Sequence, residues 1–147
     1  MNVNYNNKSF LGTSLKISIS VILIAGVVLF LFFLAKSTTK ETEVVISSTS
    51  FEVKGMFGGV YDFDKVTAIE MEDSIPAVIV KTNGSGLGEV KKGSFKLEGL
   101  GECKLFTLSD NGPFIYVLAD GKYVIMNYAD KVKTEKLYNA LSSAWKK

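Results

Sequence analysis

The chain has 147 residues, 47% of them hydrophobic, with a net charge of +2 and a mean hydropathy of +0.22. It contains no His, no Arg, no Gln and one Cys, which excludes imidazole general-base and Ser-His-Asp chemistry, a bidentate phosphate fork, an internal disulfide and a thiolate zinc site. Two lysines, Lys8 and Lys16, precede residue 17, and the other 15 face 15 acids, so the rest of the chain is neutral and lacks the basic stripe of a nucleic-acid binder.

Residues 1–16 form a short basic tail. Ile17 to Ala35 then runs for 19 residues without a charge. At ~1.5 Å rise per residue such a helix covers about 28 Å, close to the ~30 Å of a bilayer's hydrocarbon. Lys16 and Lys36 bracket the run and can snorkel to the two interfaces. A cleaved signal peptide has a shorter apolar region, roughly 7–15 residues, although Ala35-Lys36-Ser37 is a passable cleavage site. The pattern therefore favours a single transmembrane helix over 17–35, with a secreted β-domain after cleavage as the alternative. Orientation is nearly tied, with Lys8 and Lys16 on one side and Lys36 and Lys40 on the other. The acid-free N-terminus tilts the balance towards an external domain, and the unpaired Cys pulls the other way.

Residues 36–43 are polar and read as a linker. From Val44 onward, short β-type runs alternate with turn signals. Val44-Val45-Ile46 opens the domain, and Phe51 and Val53 alternate with Glu52 and Lys54 as in a half-buried strand. Gly55-Met56-Phe57-Gly58-Gly59 predicts a tight loop. Val60–Phe63, Val66–Met71, Ala77–Thr82, Gly93–Glu98 and Glu102–Leu108 follow as strand candidates. Asn83-Gly84, Asn111-Gly112 and Asp120-Gly121 are read as hairpin turns, the last lying between Pro113–Ala119 and Lys122–Tyr128. The close is different. Asp130 is a candidate N-cap, and Leu137, Tyr138, Leu141, Ala144 and Trp145 share one helical face. Covering one open end of a barrel, that face would bury the only Trp.

These residues carry a resemblance. Ser50-Phe51-Glu52-Val53-Lys54-Gly55-Met56-Phe57-Gly58-Gly59 is similar to the opening of the bacterial pleckstrin-homology-like domains of small membrane proteins. Ile75-Pro76, Thr82-Asn83-Gly84, Lys92–Leu97, Gly101–Phe106, Pro113–Tyr116 and Asn127 with Asp130, Thr134, Leu137 and Tyr138 follow in order. The resemblance covers about Val44 to Trp145. It implies a mainly β fold with one C-terminal α-helix, a partly open antiparallel barrel of about seven strands over 44–147, preceded by the transmembrane helix. It also implies a non-catalytic binding or assembly module with no cofactor. The inositol-phospholipid site of eukaryotic relatives uses several Lys and Arg around the first hairpin loop. Here Lys54 stands alone beside Gly55–Gly59, so a phosphoinositide site is not carried over.

Candidate sites are few, and no metal site is expected. Met56 and Phe57 on the first Gly-rich loop are candidate contacts for a partner or the membrane surface, or Phe57 tucks inside. Lys91 and Lys92, with Lys96, make the best local positive patch and a candidate contact for anionic lipid head groups. Exposed strand edges offer strand addition to a protein partner or a second copy. Asp62/Asp64 and Glu70/Glu72, with Asp73, are the carboxylate pairs a hydrolase would need, but they also fit the wet face of strands. Asn83–Gly88 resembles a phosphate loop only in glycine content, since no helix start follows it. A pilin-like subunit is the structural rival, weakened by the absence of any acid in 17–35. Cys103 reads as a small strand residue.

Overall fold

A computed structural model describes residue 19, residues 21–31 and residues 41–146. The chain divides into two compact units, Met1–Ser37 and Thr38–Lys147. In the first, residues 21–31 are helical and exposed. Among the described residues no helix is long and apolar enough to cross a membrane. The tail 1–16, both ends of the expected span and linker residues 36–40 lie outside the described residues.

The second unit is mainly β. A three-stranded sheet joins β1 (Val44–Ile46), β2 (Ser50–Val53) and β3 (Gly59–Asp62) as an antiparallel meander. Alternation decides its faces: Phe51 and Val53 are fully buried, while Val45 and Val60 stand outward. A 3-10 turn, Phe63–Lys65, leads into β4 (Val66–Glu72). The remaining strands are β5 (Val78–Leu87), β6 (Val90–Leu97), β7 (Gly101–Thr107), β8 (Phe114–Ala119) and β9 (Lys122–Met126). They form one six-stranded sheet with β4, in the order β4-β8-β9-β7-β6-β5.

This corrects the barrel expectation in strand number and direction. There are nine strands in two sheets rather than about seven; no strand pairing among the described residues closes a barrel, and closure is not expected of a partly open one. The pairing is also not wholly antiparallel. β7 and β9 run parallel, Lys104 opposite Val124 and Phe106 opposite Met126, because the β8–β9 hairpin inserts itself between β4 and β7. Local patterning could not reveal this, since both strands look the same to their neighbours in sequence.

The helix Lys131–Trp145 begins as the sequence predicts, with the Asp130 carboxylate accepting from the Val132 and Lys133 amides. Leu141 is fully buried, and Leu137, Tyr138, Ala144 and Trp145 pack on the same core. That core, with Phe51, Val53, Ile69, Phe106, Ile115, Val117, Val124 and Met126, lies on one face of the large sheet. The opposite face carries a second cluster of Phe95, Leu97, Cys103, Leu105, Phe114, Tyr116 and Ile125, covered in part by Ile75, Leu100 and Tyr123. The centre of the large sheet is therefore apolar on both sides. This is why β8 and β9 read as near-continuous apolar runs.

The strand directions give the unit two ends. At the proximal end the chain joins at Glu41, and here lie the β2–β3, β5–β6 and β7–β8 connections and the start of the helix, while the β4–β5 connection crosses from this end to the distal one, where Val78 lies opposite Leu97. At the distal end lie the β1–β2, β3–β4, β6–β7 and β8–β9 connections and Trp145, whose indole N–H donates to the Val66 carbonyl at 3.1 Å.

One of the three expected hairpins is as read. Asp120 and Gly121 both have positive φ (51° and 72°) and join β8 to β9. Asn83-Gly84 is instead inside β5, and the turn there is Gly88-Glu89. Gly84 lies opposite Gly93, so close that a Cβ on either would run into backbone of the other strand. The pair of glycines is thus a site of close backbone approach rather than a turn. Asn111-Gly112 is not a hairpin either, because β7 and β8 are not neighbours.

Candidate functional site

Met56, Phe57, Lys91 and Lys92 all lie at the proximal end. Met56 stands on the turn between β2 and β3, 92% exposed, while Phe57 beside it is half-buried and packs against the main core. The turn closes on itself through the Gly58 amide and the Gly55 carbonyl, 3.1 Å apart. Those bonds hold the backbone so that one side chain points out and its neighbour in.

Lys91 and Lys92 do not act together. As successive residues of β6 they project to opposite faces of the sheet. Lys91 is ion-paired with Asp110, which ties the β5–β6 turn to the β7–β8 loop. Lys92 sits across from Phe106, and burial lowers its pKa. Lys96 is on the same face as Lys92 but towards the distal end. The positive patch expected from sequence is therefore split by the pleat.

The proximal end is held by residues that sequence reading passed over. Asn127, 2% exposed, spends its amide on the β7–β8 loop: Oδ1 accepts from Leu108 N–H at 2.9 Å and Ser109 N–H at 3.4 Å. Nδ2 donates to the carbonyls of Ser109 at 3.0 Å and Asn111 at 3.1 Å. Tyr128 Oη donates to the Thr42 carbonyl at 2.9 Å, and Lys133 Nζ reaches Glu41 Oε1 at 2.8 Å. The Lys54 amide donates to the Glu43 carbonyl at 2.8 Å. Residues 41–43, expected as linker, thus belong to the folded unit, and Thr42 is buried. The one available signal was Asn127, a lone amide ending an apolar strand.

The carboxylate pairs are separated. Asp62 ends β3 and Asp64 lies in the 3-10 turn, so they are not on one strand face as expected. They border a distal groove of about 520 Å³ with Ser48, Thr49, Phe63, Ala144 and Trp145, and Asp62 is 3.8 Å from Lys65. Glu70 and Glu72 do share a face of β4 and line a different groove, about 370 Å³, with Ser74, Ile75, Tyr116 and Tyr123. Tyr116 Oη donates to the Ser74 carbonyl at 2.9 Å, and its pKa is pushed up to about 12 by burial first and by Glu72 next. Among the described residues no three acids or thiols gather as a metal site. Cys103 is buried in β7, and burial raises its thiol pKa.

The most accessible backbone is at the sheet edges. β5 is the outer strand of the large sheet, ten residues long, with Val78, Ile79, Val80 and Leu87 all exposed. Its register against β6 shifts between Val78 and Val80 and between Lys81 and Asn83, and is regular from Asn83 to Leu87. Comparison of the chain with protein-family models, with curated proteins and with solved structures finds no match in any of the three.

Proposed function

We propose that the chain is a single-pass membrane protein whose β-rich unit is a non-catalytic binding or assembly module at the membrane surface, with a lean to the outer side. The observation that carries the binding reading is β5. A ten-residue edge strand with exposed β-branched residues leaves a row of unpaired N–H and C=O groups, which natural proteins normally blunt unless the edge is used. Strand addition there would bond a partner through its main chain. The register shifts bend the first half of the edge, so Asn83–Leu87 is the segment that a partner strand would engage.

The module is proposed as pleckstrin-homology-like in type. The order of its sequence landmarks and the C-terminal helix laid on the β core support this. The parallel β7–β9 pair departs from an antiparallel barrel, and a phosphoinositide ligand is not part of the reading. The membrane anchor rests on the uncharged run 17–35.

The test is photo-crosslinking of the full chain in membranes, with the crosslinker at Ser85 and, as control, at Ser143 on the exposed face of the helix. Adducts from Ser85 that vanish in an Asn83→Lys/Gly86→Lys chain of unchanged thermal stability are expected. Equal adducts from both positions, or adducts indifferent to the two lysines, would remove the β5 reading.

A further inference from the structure

We infer that the proximal end is a bilayer-facing surface, at which Met56, Leu87 and Val132 enter the lipid interface. The inference rests on the proposed span over 17–35 and adds a membrane-contacting site to it. Its first support is the route of the chain. Glu41, Thr42 and Glu43 are each bonded to the proximal end, through Lys133, Tyr128 and Lys54 respectively. Only residues 36–40 then separate the folded unit from the end of the apolar run, and five residues reach at most about 18 Å. A tether that short limits how far its point of attachment can lie from the bilayer.

The second support is what that end presents. Three separate connections each carry an exposed apolar side chain: Met56 (92%) from the β2–β3 turn, Leu87 (54%) from the β5–β6 hairpin and Val132 (55%) from the first turn of the helix. Their occupant is chosen by charge. Lys54 pairs with Glu52, Lys91 with Asp110 and Lys133 with Glu41, so three of the lysines at this end have their charge matched by an acid. A surface of that kind is not drawn to anionic head groups and binds by inserting apolar tips. The distal end, by contrast, shows the carboxylates of Asp62 and Asp64 around its groove.

The experiment uses the full chain in vesicles of zwitterionic lipid with brominated acyl chains. An environment-sensitive fluorophore is attached at Met56→Cys or Leu87→Cys, and at Ser48→Cys as the distal control. Cys103 stays in place because its thiol is buried, and the labelled parent chain gives the background. Quenching at positions 56 and 87 about threefold above that at 48 is expected, unchanged when a third of the lipid is anionic. Release of the chain by alkaline carbonate would overturn the membrane reading and this inference with it. A retained chain quenched equally at 48, 56 and 87 would overturn this inference alone. Quenching seen only with anionic lipid would overturn insertion by apolar tips in favour of lysine attraction.

Discussion

At the distal end most connections set their own geometry, whereas at the proximal end they are held by side chains from far along the chain. Asp120-Gly121 turns on two positive φ values, and Ser47 accepts from the Thr49 and Ser50 amides two and three residues away. Proximally, Asn127 reaches back 19 residues to Leu108, Tyr128 reaches 86 residues to Thr42, and Lys133 reaches 92 to Glu41. Local turns cost little to order, because few dihedrals are fixed for each bond made. Distant bonds form only after the sheets have assembled, so the proximal end depends on the whole fold. Distal exceptions are Trp145, bonded to Val66 across 79 residues, and the Asp120 amide, which donates to the Lys65 carbonyl.

Removing Asn127 should break this arrangement most. Asn127→Ala strands two amides and two carbonyls at a buried site, and a loss of about 3 kcal/mol or more is expected in urea unfolding. If the loss were no larger than that of a surface substitution, the loop would be held by something other than this amide.

Alkaline pH should act next. The Tyr116 hydroxyl is raised from 10.0 to about 12 in the folded state, so the unfolded chain ionises first. Stability is then intact below pH 10 and falls as the pH rises towards 12, by at most about 2.7 kcal/mol from this group. Burial raises Tyr61 and Tyr128 in the same direction. Tyr116→Phe should flatten the slope of the urea midpoint against pH, and an unaltered slope would assign the effect elsewhere.

At the distal end, Gly121→Ala places a Cβ at φ +72° in open space, and Trp145→Phe deletes one N–H donor. Each is expected to cost about 1 kcal/mol, without altering hydrogen exchange at the proximal end. Smallest is Tyr128→Phe, at roughly 0.5–1 kcal/mol. Its sharper signature is faster amide exchange at 43–45 alone, since the bond it removes pins only the first residues of the unit. Uniformly faster exchange would mean that the two ends are not separable in this way.

Legibility from sequence follows the same division. The alternation of Phe51 and Val53, the Asp120-Gly121 turn, the Asp130 cap and the apolar face through Leu141 were readable, because each involves groups within a few residues of one another. Phe57 turning in while Met56 turns out was not readable, since either can occupy a loop tip. The lysine patch failed because adjacency in sequence is opposition on a strand. Gly84 looks like a turn residue, and only its apposition to Gly93 across β5 and β6 shows why neither can carry a side chain.

The sequence by itself determined a neutral, mainly β unit with one capped C-terminal helix, and an uncharged run ahead of it. Tertiary structure alone decided the two-sheet arrangement, the parallel β7–β9 pair, the burial of Asn127 and the binding of residues 41–43 into the fold. The reason is range. Periodicity, turns and caps are settled by neighbours, but which strand lies beside which is settled by apolar area and hydrogen bonds shared between residues that meet only when the chain has folded.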